Sequence, residues 1–69
     1  MRRYDVIIER DRETGLYVGW VPGWPGAHSQ GRTIEELEAN LREVIAMLLE
    51  DGEPEPDSEF IGLRTIEVA

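Results

Sequence analysis

The chain has no cysteine, no lysine and a single histidine, His28, among its 69 residues. Without thiols there is no disulfide framework, no thiolate zinc site and no cysteine nucleophile. One imidazole excludes a multi-histidine metal centre. The 7 basic residues, all arginine, face 15 Asp and Glu, for a formal net charge of -8. So little positive charge does not suit direct binding of phosphate backbones, which needs a basic face. Long apolar runs are absent as well. The longest, Val44 to Leu49, is far short of the roughly 20 residues a membrane span requires. Tyr4 to Glu9, after Met1-Arg2-Arg3, is too short and too charged for a secretory signal. A cytoplasmic location with no membrane partner is therefore expected.

A hydrophobic fraction of 41% is enough for a globule. The length fits one domain, residues 1–69. A chain of this size buries only about 60% of the surface its unfolded form exposes. Such a thin core calls for a very regular fold or for partner subunits.

The pattern along the chain reads β-β-β-α-β. In Tyr4 to Glu9, Tyr4, Val6 and Ile8 share one face, with Asp5 and Glu9 on the other, as in a half-buried strand. Arg10 to Gly15 is a charged turn ending in glycine. Leu16 to Val21 is a second strand, with Leu16, Val18 and Trp20 on one side, and completes an antiparallel hairpin. Pro22-Gly23-Trp24-Pro25-Gly26 is too rich in proline and glycine for a periodic element. Ala27 to Gly31 is a third strand whose small inward residues would let it sit close under a helix.

Thr33-Ile34-Glu35-Glu36 forms a capping box: Thr33 caps the Glu36 amide and Glu36 reaches back to Thr33. Ile34, Leu37, Leu41, Val44, Ile45 and Leu48 then recur at helical spacing, predicting a helix from Ile34 to Asp51 with Gly52 at its C-cap. Glu38 and Arg42 are placed for an (i, i+4) ion pair. Asn40, on the flank of the stripe, is read as a structural donor to a loop carbonyl near Gly26 or Gly31. An acidic, proline-spaced connector leads to a last strand, Phe60 to Val68. One helix covers one face of a sheet. Ile7, Tyr17, Val21, Ile66 and Val68 are thus placed on the other face or an edge, which implies a homo-oligomer, a dimer or tetramer.

These residues carry a family likeness. Gly15-Leu16-Tyr17-Val18, Pro22-Gly23-Trp24-Pro25-Gly26, Ser29-Gln30-Gly31, Thr33-Ile34-Glu35-Glu36, Asn40 and Glu43-Val44-Ile45 follow in order. The arrangement resembles the HicB-like antitoxin family from about Tyr4 to Glu50. The resemblance implies an α+β domain, an antiparallel sheet with one helix on one face, described as a partial ribonuclease H-like fold. It implies neutralisation of a small mRNA-cleaving protein, a HicA-like toxin. Gly23 stands where that family commonly has Asp, and Leu37 where it has Ala. After Val68 the sequence leaves no room for the DNA-binding segment of longer members, so direct nucleic-acid binding is not carried over.

The candidate partner-binding residues are Trp24, His28, Glu36, Glu43 and Glu50. Trp24 is either a loop residue folded onto the core or a preorganised aromatic anchor, since tryptophan is favoured at binding hot spots. His28 beside Ser29 suggests a nucleophile and base, but no third residue orients it, so it is read as a surface strand residue. Asp5, Glu9, Glu36 and Glu43 suggest a magnesium cluster. Asp5 and Glu9, however, lie about 13 Å apart along a strand, and both helical carboxylates point outward. No catalytic residue, metal or cofactor is assigned. The acidic tract Glu50 to Glu59 is a solvated linker or an electrostatic lure for a basic surface. The sequence thus predicts a non-enzymatic antitoxin; the alternative is a solitary oligomeric interaction domain with no toxin partner.

Overall fold

The structure, a computed structural model, describes residues 2–69. Three strands, β1 (Ile7–Arg10), β2 (Tyr17–Trp20) and β3 (His28–Gly31), precede one helix, α1 (Ile34–Leu49). The strands form an antiparallel sheet in the order β1-β2-β3, with Ile8 opposite Gly19 and Gly19 opposite Ser29. The α+β class follows from the sequence pattern. Among the described residues no helix is long and apolar enough to cross a membrane.

The first turn is built by one carboxylate. The Asp11 side chain accepts from the Glu13 amide at 3.2 Å and the Thr14 hydroxyl at 2.9 Å. The Gly15 amide donates to the Asp11 carbonyl at 2.8 Å, with Gly15 at φ 74°. A side chain at that φ would be strained. The second loop is a pair of Pro-Gly turns. Trp24 N donates to Val21 O at 3.2 Å and Ala27 N to Trp24 O at 3.1 Å, with Gly23 at φ 79° and Gly26 at φ 91°. Proline at the second position and a positive-φ glycine at the third are the requirements of a type II turn. A 2.9 Å bond from Val21 N to Ala27 O closes the pair.

The helix begins as its residues require. Thr33, in extended conformation, accepts the Glu36 amide at 3.0 Å. The reciprocal arm differs from the sequence reading: the Glu36 carboxylate meets the Arg32 amide, at 3.4 Å, instead of Thr33. The helix stops at Leu49 with Glu50 as its cap, two residues before the predicted end. Gly52, at φ 109°, follows the cap and donates to Leu49 O at 3.0 Å. Glu38 and Arg42 make no ion pair; the one ion pair among the described residues joins Arg2 to Glu53. Both of those groups are well exposed, so the link adds little stability.

The core is small: Val21, Ala27, Leu37 and Leu41 are its buried hydrophobic residues. Helix and sheet meet through glycines. A Cβ on Gly31 would lie 2.5 Å from the Leu37 amide nitrogen, and one on Gly19 would lie 3.0 Å from a Leu37 methyl. Gly19 and Gly31 therefore face the helix, and strand alternation puts Tyr17 and Val21 on that side too. This corrects the face assignment: Tyr17 and Val21 lie under α1, while Ile7, Val18 and Trp20 line the open face. The amide of Asn40 donates to Gln30 O at 2.8 Å, so its partner is a β3 carbonyl beside the expected ones.

The predicted last strand does not form in the chain. Residues 60–69 have no regular secondary structure and are exposed throughout. β1 is also shorter than read, starting at Ile7 instead of Tyr4.

Gly31→Ala should destabilise the fold by about 3 kcal/mol or more, because the added methyl meets helix backbone that cannot rotate away. Asn40→Ala should cost only about 1 kcal/mol, the worth of a hydrogen bond. Urea unfolding followed by circular dichroism measures both.

Candidate interaction surface

The Pro-Gly loop, the start of the chain and the acidic tract come together at one end of the sheet. Trp24, half-buried, stacks against Tyr4 with ring centroids 5.3 Å apart and planes tilted by 46°. That geometry lies within the favourable range for aromatic pairs. The Asp57 amide donates to Gly23 O at 3.0 Å. A Cβ on Gly23 would be 2.3 Å from the Ser58 carbonyl oxygen. Gly23 is thus needed twice, for its positive φ and for the close passage of the returning chain. The tract after the helix is not a loose linker. It folds back over the loop, and a shallow depression there is bordered by Tyr4, Trp24, Pro54, Pro56 and Phe60.

The five candidate residues do not form one cluster. Trp24 belongs to this aromatic shelf. His28 is exposed on β3 opposite Trp20, so it faces the open side of the sheet. Glu36 is exposed in the first turn of α1 and is engaged with the Arg32 amide. Glu43 is exposed midway along α1, and Glu50 caps its end. Among the described residues no three of His, Cys, Asp or Glu gather where a metal ion could sit. Asp5, Glu9, Glu36 and Glu43 are therefore not brought into a magnesium site. Together these residues present charge and an aromatic edge at the surface.

Tyr4 as the partner of Trp24 was missed from the sequence, where Tyr4 counted only as a strand residue. Nothing at that spacing announces a contact between residues so far apart in the chain. The Gly23–Ser58 contact was also unforeseen. Its signal was the departure to glycine at the third position of a turn.

The sequence is 49% identical over 67 residues to a UPF0150 protein of Synechocystis sp., covering 97% of this chain and 96% of that one. The chain belongs to the UPF0150 family. UPF0150 proteins of Thermotoga maritima and Archaeoglobus fulgidus are 44% and 39% identical, each over 66 residues. The first match covers 94% of this chain and 88% of its relative, the second 96% and 94%. These UPF0150 relatives are thus about as long as this chain, and the matches include the segment beyond the helix. No family model matches the sequence, and no solved structure does.

A double-mutant cycle on Tyr4→Ala and Trp24→Ala should give a coupling energy of about 0.5–1.5 kcal/mol. Denaturant titration checks it. Additive single-mutant losses would mean the rings do not support each other.

Proposed function

We propose that this UPF0150 protein acts by binding: it covers the cationic RNA-binding surface of a small, HicA-type mRNA-cleaving toxin, and makes or breaks no bonds itself. The resemblance to the HicB-like antitoxins over Tyr4 to Glu50 supports this reading. One observation carries it. The chain has a net charge of -8, and its one ion pair among the described residues is Arg2–Glu53. Among the described residues no other carboxylate is ion-paired with an arginine of the same chain. Glu35, Glu43 and Glu50 stand exposed on or at the end of α1, and Asp51, Glu55, Asp57 and Glu59 continue the charge into the folded-back tract. A protein that binds RNA presents a basic surface. A concentrated negative surface steers it in and then occupies the place of the phosphates. Trp24 at the edge of this surface is the candidate apolar contact, and dimeric or tetrameric assembly would multiply the charge offered.

The test is co-expression and co-purification with a small basic protein of the HicA type, followed by stopped-flow association. The rate should fall at least tenfold between about 0.01 and 0.15 M salt, because the Debye length shrinks from about 30 to 8 Å. Replacing Glu35, Glu43 and Glu50 together by lysine should slow association further and restore RNA cleavage by the partner. A rate indifferent to salt, or inhibition untouched by the triple substitution, would refute the electrostatic mechanism.

A further inference from the structure

Two surfaces of this small chain are left without a match. The first is a groove. α1 packs on β3 and β2 and does not reach β1. The helix-facing side of the hairpin beyond Gly19 is thus uncovered, and Val6 and Ile8 are 36% and 39% exposed. With Tyr4 and the helix residues Leu41, Ile45 and Leu49 they line an open apolar groove of about 800 Å³. Its outer wall is β1, an edge strand with no neighbour on that side.

The second is the segment after Phe60. Asp57 and Ser58 are fixed on the Pro-Gly loop, and from there the chain runs free of its own groove. Ile61, Leu63, Ile66 and Val68 are 85%, 84%, 82% and 88% exposed. No hydrogen bond among the described residues ties this stretch to the rest of the chain. Its β-branched and aliphatic residues are those of a strand, and it lacks only a ladder partner.

The exposed area is ample for an interface. A compact monomer of 7.9 kDa exposes about 4,400 Å². This chain exposes 6136 Å², an excess of about 1,700 Å². A standard interface buries about 800 Å² on each partner. The radius of gyration, 13.7 Å, likewise exceeds the roughly 11 Å of a compact chain of this length.

We infer that two copies exchange these segments: Phe60–Val68 of each chain adds as a strand along the outer edge of β1 of the other and closes its groove. Edge pairing supplies the backbone bonds the segment lacks. Strand alternation puts Ile66 and Val68 on one face, where they fill the space over Val6 and Ile8 that α1 does not reach, and Ile61 and Leu63 on the other, beside Ile7 on the open face of the sheet. Arg64, on the same face as Ile66 and Val68, finds a carboxylate at the groove rim in Glu38. Reciprocal exchange gives a closed two-fold assembly with no free copy of either surface. The inference rests on these surfaces alone and does not depend on a toxin partner.

The absence of cysteine makes the test direct. A nitroxide is attached to Leu63→Cys, and this chain is mixed with isotope-labelled wild-type chain. Only contacts between copies can then broaden the observed amides. The expected result is selective broadening at Val6, Ile8, Leu41 and Ile45 of the labelled copy. In parallel, Leu63→Glu with Ile66→Glu should halve the mass in light scattering from two chains to one, with the helix signal unchanged. A wild-type monomer at micromolar concentration would overturn the exchange. So would absence of broadening, which would place the segment elsewhere or in its own groove. Dimers that survive the double substitution would overturn it as well and locate the contact on another surface, such as the open face of the sheet.

Discussion

The fold depends on how closely one strand can pass beneath one helix. At Gly31 the sheet backbone and the helix backbone are in direct contact, with no room for a single methyl between them. The Asn40 amide holds the same strand through Gln30 O. This approach brings Leu37 down onto Gly19 and sets the register of the helix over β2 and β3. Everything else follows from that placement. The buried core can be as small as Val21, Ala27, Leu37 and Leu41 because backbone contact, and not side-chain bulk, joins the two layers. The same placement leaves β1 uncovered.

A helix drawn so tightly to one side of a three-stranded sheet produces an asymmetric molecule. One flank is closed, one flank is an open groove, and the second face of the sheet carries Ile7, Val18 and Trp20 without a cover. The charged residues are distributed over the outside of α1 and the folded-back tract, away from the groove's apolar floor. Charge and apolar surface are therefore offered by different parts of the chain.

Much of this was legible in the residues. The helix start at Thr33, the two Pro-Gly turns, the order of the three strands and the small inward residues of β3 all follow from local rules that act over a few positions. The face of β2 was not legible in the same way. Alternation reads Leu16, Val18 and Trp20 as one apolar row and gives Gly19 no weight, since a glycine has no side chain to count. In the fold that glycine lies in the row the helix covers, because close approach rewards the absence of a side chain. The candidate residues were likewise named one by one. Trp24 met Tyr4, Glu36 met Arg32, and His28 went to the opposite face.

The sequence by itself determined the first three strands and the helix, their order, the turn chemistry and the excess of negative charge, because each depends on neighbours in the chain or on composition alone. Only the tertiary structure decided which face of the sheet is buried, that the acidic tract returns to the Pro-Gly loop, and that Phe60 to Val68 pairs with no strand of its own chain. Those outcomes turn on distances between residues far apart in sequence. A strand needs a partner edge as well as a pattern, and the pattern does not say where that edge is.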